Sequence, residues 1–372
     1  MQSVVEIGER NFGDILNALN VGVYVTDTER RIVFWNKHAE GITGYKAEEV
    51  VGHRCSANIL RHRDKEGRPL CSTDLCPLHR AIITGTRSEA PVLVYAVSKT
   101  GKDLALSVST APVYGDDGRV IGGVEVFRDE GADIRQMELA RVVQRQMLTE
   151  GLPQDERLSF AVQYAPKELV SGDFYHVRRL SEDLFAVFVA DAAGHGVSAA
   201  LSVGLIYSLV MECKDLLPDP AGLMAAVNER ACARATGLGF FTAVSAVLDA
   251  RAKSVTFCSA GHPPLLCQKG ASGEVEALAQ SQLPVGVDGR AVYASHKMDL
   301  ESGDRLLAYS DGVTDMPTGG SGRLGIDGLR SLLADCRPSD DPKLRRLFES
   351  VLARCAAVEP DDDITLVSCA FR

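Results

Sequence analysis

Apolar and polar residues alternate through VGVYVTDTERRIVFWN (21–36), which predicts two short strands on either side of a turn at 27–30. Residues 1–20 ahead of it predict a short helix. HAEGITGYKAEEVVG after it predicts helix, punctuated by Gly44 and Gly52. Three β-like runs follow: EAPVLVYAVSKTG, KDLALSVSTAPVYGDDG and RVIGGVEVFRD. The turns between them, Lys-Thr-Gly-Lys and Gly-Asp-Asp-Gly, suit adjacent antiparallel strands. Two strands, short helices and three more strands make a small α+β domain over residues 10–130.

The period then changes. Ile134, Met137, Ala140, Val143 and Met147 recur every three or four residues, which predicts a helical linker over 131–152. The remaining residues, 153–372, form a second domain. Its strand-like runs include LSFAVQYAP, LFAVFVAD, FFTAVSAVLDA, SVTFCSAGHPPLLC, DRLLAYSD and ITLVSCAF. Helical patterns lie in pairs, at 197–213 and 219–236 and again at 326–336 and 340–357. Many antiparallel-looking strands with grouped helices predict a layered α+β sandwich, not an alternating parallel fold.

Composition narrows the function classes. The chain has 372 residues and a net charge of −10, which argues against a nucleic-acid binder with its basic footprint. Residues 1–130 carry net −2 and the rest −8, so the surplus carboxylates belong to the second domain. No secretory leader or run of about 20 apolar residues is visible, and the expected compartment is the cytoplasm, with no membrane association. Seven of the ten cysteines lie in apolar contexts after residue 200, as buried thiols do.

Those carboxylates follow a pattern. Asp173 sits in VSGDFYHV, Asp191 ends FAVFVAD, Asp311 ends DRLLAYSD, and Asp361, Asp362 and Asp363 precede ITLVSCAF. An Asp repeated at strand ends puts carboxylates on the rim of a sheet, where they repel unless cations lie between them. Hard oxygen ligands suit Mg²⁺ or Mn²⁺, and two such ions can activate water and hold a phosphoryl group in line.

Two resemblances follow from these residues. Asp27, Asn36, Gly44-Tyr45, Glu48-Glu49, Gly52 and the closing GDDGRVIGGVEVFRD resemble a PAS sensor domain. The second domain resembles the PPM family of metal-dependent protein Ser/Thr phosphatases, in its bacterial SpoIIE/RsbU branch. Its collinear motifs are Ser171-Gly172-Asp173, Ala190-Asp191-Ala192-Ala193-Gly194-His195-Gly196, Phe241-Thr242, Ala260-Gly261-His262-Pro263-Pro264, Leu283-Pro284-Val285-Gly286, Ser302-Gly303-Asp304, Tyr309-Ser310-Asp311-Gly312-Val313-Thr314 and Asp362-Asp363-Ile364-Thr365. The resemblance implies an α/β/β/α sandwich holding two Mn²⁺ or Mg²⁺ ions. Asp191 would bridge them, the Ala192 carbonyl would complete one site, and Asp173, Asp311, Asp362 and Asp363 would fill the rest. It implies direct attack of water on the phosphorus of phosphoserine or phosphothreonine, with no phospho-enzyme. It also implies a STAS-type anti-anti-sigma substrate in a partner-switching pathway, and a homodimer through the PAS domain and linker. In this family the helices beside the Asp191 loop are thought to move, and Gly194, Gly196 and Gly204 would ease close packing there. The sequence departs from the pattern at Ser171, at His176 and at Asp315. The alternative is a catalytically weak PPM scaffold that binds a partner.

Three smaller features stand apart. His195 and His262 sit in Gly- or Pro-bounded turns and read as turn histidines before catalytic acids. Lys167 reads as an exposed lysine before a phosphate ligand. Cys55, Cys71 and Cys76, with His62 and His79 in the same segment, are spaced to suggest a Zn²⁺ site, an iron–sulfur cluster, a redox pair, or simply buried thiols.

Overall fold

The structure is a computed structural model. It describes residues 9–57, 59–71, 73–148, 151–194, 196–234, 239–279, 282–318, 322–337, 344–355 and 360–372. The chain divides into two compact units, one up to Gln136 and the other from Met137.

The first unit opens with α1 (Glu9–Asn17), β1 (Gly22–Asp27) and β2 (Ile32–Trp35). Then come α2 (Lys37–Thr43), α3 (Ala47–Val50), α4 (Pro77–Thr84), β3 (Val92–Val97), β4 (Asp103–Tyr114) and β5 (Val120–Asp129). Asn36 starts α2 by accepting the Ala39 amide, and Gly44 ends it in the left-handed region. The five strands form one antiparallel sheet in the order β2-β1-β5-β4-β3, so the first and last strands of the unit pair at its centre. One face packs against the helices around Tyr24, Trp35, Leu78, Leu106 and Phe127.

Helix α5 (Gly131–Met147) follows and runs across the division between the units. The second unit contains β6 (Leu158–Ala165), β7 (Asp173–Arg179), β8 (Leu184–Ala192), α6 (Val197–Glu212), α7 (Pro220–Arg234), β9 (Phe241–Asp249), β10 (Ser254–Ala260), β11 (Leu265–Gln268) and β12 (Val275–Leu278). It ends with β13 (His296–Asp299), β14 (Arg305–Tyr309), α8 (Asp311–Thr314), α9 (Gly325–Ala334), α10 (Arg345–Arg354) and β15 (Ile364–Phe371). Two five-stranded antiparallel sheets result, ordered β13-β10-β9-β8-β7 and β12-β11-β14-β15-β6. Phe185, Val187, Val189, Val244, Leu306 and Val367 fill the space between them. Helices α6 and α7 cover the outer face of the first sheet through Val203, Ile206, Leu223 and Val227. Helices α9 and α10 cover the second through Leu329, Leu333, Leu347 and Val351. The four layers are the α/β/β/α sandwich that the family resemblance implies, and they fit the layered α+β sandwich read from the strand and helix patterns.

The run SVTFCSAGHPPLLC is not one strand. It breaks at Gly261 (φ +69°), and β10 and β11 join different sheets. A polypeptide passing from one layer to the other needs a sharp turn, which a left-handed glycine followed by His262-Pro263-Pro264 supplies. The glycines beside the Asp191 loop also differ from expectation. A Cβ on Gly194 would meet nothing, and one on Gly196 or Gly204 would make only ordinary contacts. Gly194 and Gly196 serve backbone shape, at φ +92° and +76°. Close packing is instead required at Gly172, whose Cβ would press on Ala199 at 3.1 Å, and at Gly312, whose Cβ would lie 2.0 Å from the Asp363 carbonyl oxygen.

Among the described residues, no helix is long and apolar enough to cross a membrane.

Candidate active site

Sheet register brings the carboxylates together. Asp173, first residue of β7, lies directly opposite Asp191 on β8, and Asp191 lies opposite Thr242 on β9. From the other sheet, β14 ends at Tyr309, so Ser310 and Asp311 emerge at the same rim, while Asp362 and Asp363 lead into β15. The site is therefore built where the two sheets meet.

Asp173 is buried, and one of its oxygens accepts hydrogen bonds from Ser310 Oγ at 2.7 Å and from Thr365 Oγ1. Burial, reinforced by Asp363 and Asp362, holds its pKa far above the usual carboxylate range. Asp191 is pushed up to about 9, first by burial and then by Asp173, Asp311 and Asp362. Asp311 is raised too, by burial first, while its hydrogen bond with Asp191 acts in the opposite sense. Among the described residues no Lys, Arg or His forms an ion pair with any of these groups. Close carboxylates without a protein cation suit a hard divalent ion, and oxygen donors suit Mg²⁺ or Mn²⁺. Among the described residues, no three His, Cys, Asp or Glu side chains already surround a single point in either unit, so the fit rests on charge and donor chemistry.

The structure gives Asp363 a different place from its neighbours. Its two oxygens accept the Lys167 amide at 2.8 Å and the Gly172 amide at 2.7 Å, and it is 5% exposed. Its carboxylate thus ties the loop before β7 to the start of β15. The Asp363 amide in turn donates to Asp362 Oδ1 at 2.8 Å, which orients that carboxylate. Ala192 is buried, and its amide donates to the Gly172 carbonyl at 3.1 Å.

The remaining expectations sort as follows. Lys167 is exposed and its ammonium donates to the Asp361 carbonyl oxygen. His262 is 5% exposed, its Nδ1 lies 2.8 Å from Thr242 Oγ1, and burial pushes its pKa down to about 3. A neutral ring pinned to β9 is a turn histidine. Replacing it by Ala should therefore slow hydrolysis of a phosphoserine substrate and of an activated aryl phosphate by the same factor, and a selective loss on phosphoserine would assign it the leaving oxygen instead. His176, half-buried on β7, has its pKa lowered by burial and by Arg178. Asp304 accepts from Lys269 Nζ and the Gly270 amide, both at 3.0 Å, so Ser302-Gly303-Asp304 is a structural turn. His195 lies outside the described residues. Ser310 and Thr365, whose hydroxyls hold Asp173, stood inside quoted motifs without a role; a hydroxyl beside a carboxylate at a strand end was the signal available.

The sensor cysteines do not gather around His62 as a metal tetrad. Cys55 and Cys76 are buried, Cys71 is half-buried, and all three are free thiols. Burial pushes Cys55 up to about 12 and Cys71 up to about 11, and among the described residues no three His, Cys, Asp or Glu side chains of this segment surround a common point. Cys71 Sγ accepts the His62 amide at 3.2 Å, while the His62 ring turns inward to Glu125, Nε2 to Oε1 at 3.7 Å. The expected Zn²⁺ or iron–sulfur site through Cys55, Cys71, Cys76 and His62 thus finds no support. A buried imidazole–carboxyl pair stands there instead, at 3% and 1% exposure.

Comparison with known proteins agrees with this architecture. The Stage II sporulation protein E (SpoIIE) family model matches residues 181–372, and a PAS domain model matches residues 20–131. Phosphoserine phosphatase RsbU of Bacillus subtilis is 26% identical over 236 residues, 62% of this chain and 69% of that protein. Phosphoserine phosphatase RsbP of the same organism is 28% identical over 185 residues, 49% of this chain and 45% of that protein. In fold, the SiaA-PP2C domain of Pseudomonas aeruginosa matches with a TM-score of 0.58 at 21% identity, over 65% of this chain and 98% of that one. With a SpoIIE match over half its length, a PAS domain in front and an acidic rim between two sheets, the chain belongs to the SpoIIE family of protein serine/threonine phosphatases.

Proposed function

We propose that this phosphatase removes phosphate from phosphoserine or phosphothreonine of a STAS-type partner protein, under control of its PAS domain, with two Mn²⁺ or Mg²⁺ ions in the acidic rim. The observation that carries the reading is the convergence of Asp173, Asp191, Asp311 and Asp362 at the junction of the sheets, without a protein cation among the described residues. Asp191 would bridge the ions, with Asp173, Asp311, Asp362 and the Ala192 carbonyl as the other ligands. When bound, the ions supply the positive charge that acidifies water and neutralises the phosphoryl oxygens.

The chain's own residues do the rest. Ser310 and Thr365 hold one oxygen of Asp173 by hydrogen bonds, which fixes its rotamer. Asp363 acts by fastening Lys167 and Gly172 rather than as a ligand. The half-buried Asp191 and Asp362 keep the rim open to a phosphorylated side chain. Pairing of two copies through α5 is supported by the exposed Leu139, Val142 and Val143 along it.

The test is phosphate release from phosphorylated STAS proteins by the full chain, with Mn²⁺ titrated and then removed by chelation. Release that requires Mn²⁺ is expected. Tight binding of the phosphoprotein without release at any Mn²⁺ concentration would favour a partner-binding scaffold.

A further inference from the structure

Helix α5 is unusual in what it buries. Leu139, Val142 and Val143 are exposed, and the one α5 residue that is buried among those described is polar: Gln144, at 5% exposure. Its side-chain amide makes two hydrogen bonds with one residue. Nε2 donates to the Ser171 carbonyl at 2.6 Å, and Oε1 accepts the Ser171 amide at 3.0 Å. The pairing imitates one rung of a β-ladder. Ser171 is fully buried, and its Oγ accepts the amide of Asp173 at 3.0 Å. Hydrogen bonds thus link α5 to the main chain of Ser171, and the Ser171 hydroxyl to the main-chain amide of the residue whose carboxylate stands at the rim.

We infer that Gln144 is a positioning residue that sets the Asp173 carboxylate for metal binding, and that α5 acts on the site through this one side chain. The inference rests on the metal reading above and adds the route of control to it. An apolar contact would let the helix slide or rotate with little change in energy, because burial has no direction. A two-point amide clamp fixes one register. If it is broken, two buried main-chain groups of Ser171 lose their partners, which the loop can repair only by moving. Gly172 cannot take up that movement freely, because its amide is held by Asp363 and Ala199 leaves little room even for a β-carbon there. Displacement therefore passes to Asp173.

The test is calorimetric Mn²⁺ binding to the full chain, with and without Gln144→Ala, Ser171→Ala and both together. Loss of the partner of a ligand's own support typically weakens metal binding by about 10–100-fold. Gln144→Ala should raise the Mn²⁺ dissociation constant at least about tenfold, with the melting temperature in chelator little changed. The double variant should be no weaker than the worse single one, because both act along the same route. Arg145→Ala, next door and exposed, should leave the constant unchanged. Gln144→Met keeps the length of the side chain without either hydrogen bond and replaces the Ala variant should that not fold. A dissociation constant within twofold of wild type, or singles whose effects multiply, overturns the inference. A wild-type chain that binds no Mn²⁺ overturns the metal reading beneath it.

Discussion

Asp191→Asn is expected to cut phosphate release by about 10³-fold at saturating Mn²⁺, the scale of several kcal/mol of charge stabilisation, and at the same time to raise the melting temperature in chelator. Both effects come from one geometry. Asp191 lies opposite Asp173 across β7 and β8, in hydrogen-bond contact with Asp311, and is largely buried. Like charges opposite each other on a sheet destabilise it, as does a carboxylate removed from water. Without metal, Asp191 must either hold that charge or take up a proton to shed it, and Asn keeps the shape and needs neither, so the sheet edge gains while the rim loses its central carboxylate. Asp311→Asn should act in the same direction, with a smaller gain in stability because Asp311 is the more exposed residue of the pair. Activity that survives both substitutions would place the chemistry elsewhere, and a fall in melting temperature in chelator would mean that the carboxylate earns its place structurally.

The sensor unit should lose about 2 kcal/mol of stability between pH 6.5 and pH 8, and Glu125→Gln should abolish that loss. Glu125 and His62 face each other at 3.7 Å in the PAS core, with the Tyr24 side chain beside Glu125 and His62 Nε2 lacking a hydrogen-bond partner among the described residues. Burial raises Glu125 from 4.5 to about 8. A folded pKa above the unfolded one means the bound proton stabilises the fold in full below about 4.5, and this is lost as pH rises to about 8. Burial lowers His62 from 6.5 to about 4. Its contribution runs the other way, complete above about 6.5 and lost as pH falls to about 4. The opposing slopes cancel between about 4.5 and 6.5 and leave a decline only above. Gln cannot ionise, so its curve should stay level up to pH 8. Trp35 is the chain's one tryptophan and is packed in this core at 4% exposure, so its fluorescence during urea unfolding reports this unit alone. A wild-type curve flat from pH 6.5 to 8 would refute the buried acid.

What could be read from the sequence depended on how directly each feature follows from local pattern. An Asp at either end of an apolar run marks the edge of a strand, and four such edges meet where the two sheets join. The apolar helical runs of α6 and α7 and the shorter amphipathic α9 and α10 were equally plain. β12 and β13 were not: each has four residues with charges among them, and each lies at a sheet edge, where apolar alternation is not required. Glu125 was hidden for another reason. Alternation in Gly123–Phe127 separates two faces but does not say which is inside. The two valines, 124 and 126, suggest the wrong one, since Glu125 and Phe127 point into the core. Gln144 looked like one polar residue among several on the linker. Its role depends on a partner 27 residues away, which helical period alone cannot supply.

Asp173 is fastened by Ser310 and Thr365, which follow it by 137 and 192 residues. At about 5–20 residues per second, a ribosome needs roughly 10–40 s to travel from the first of these positions to the last. From the completion of β8 until Thr365 is added, the opposed carboxylates exist while at least one of the two hydroxyls is still unmade. A chain that stops before Thr365 is therefore expected to release no phosphate, however well its earlier strands have formed.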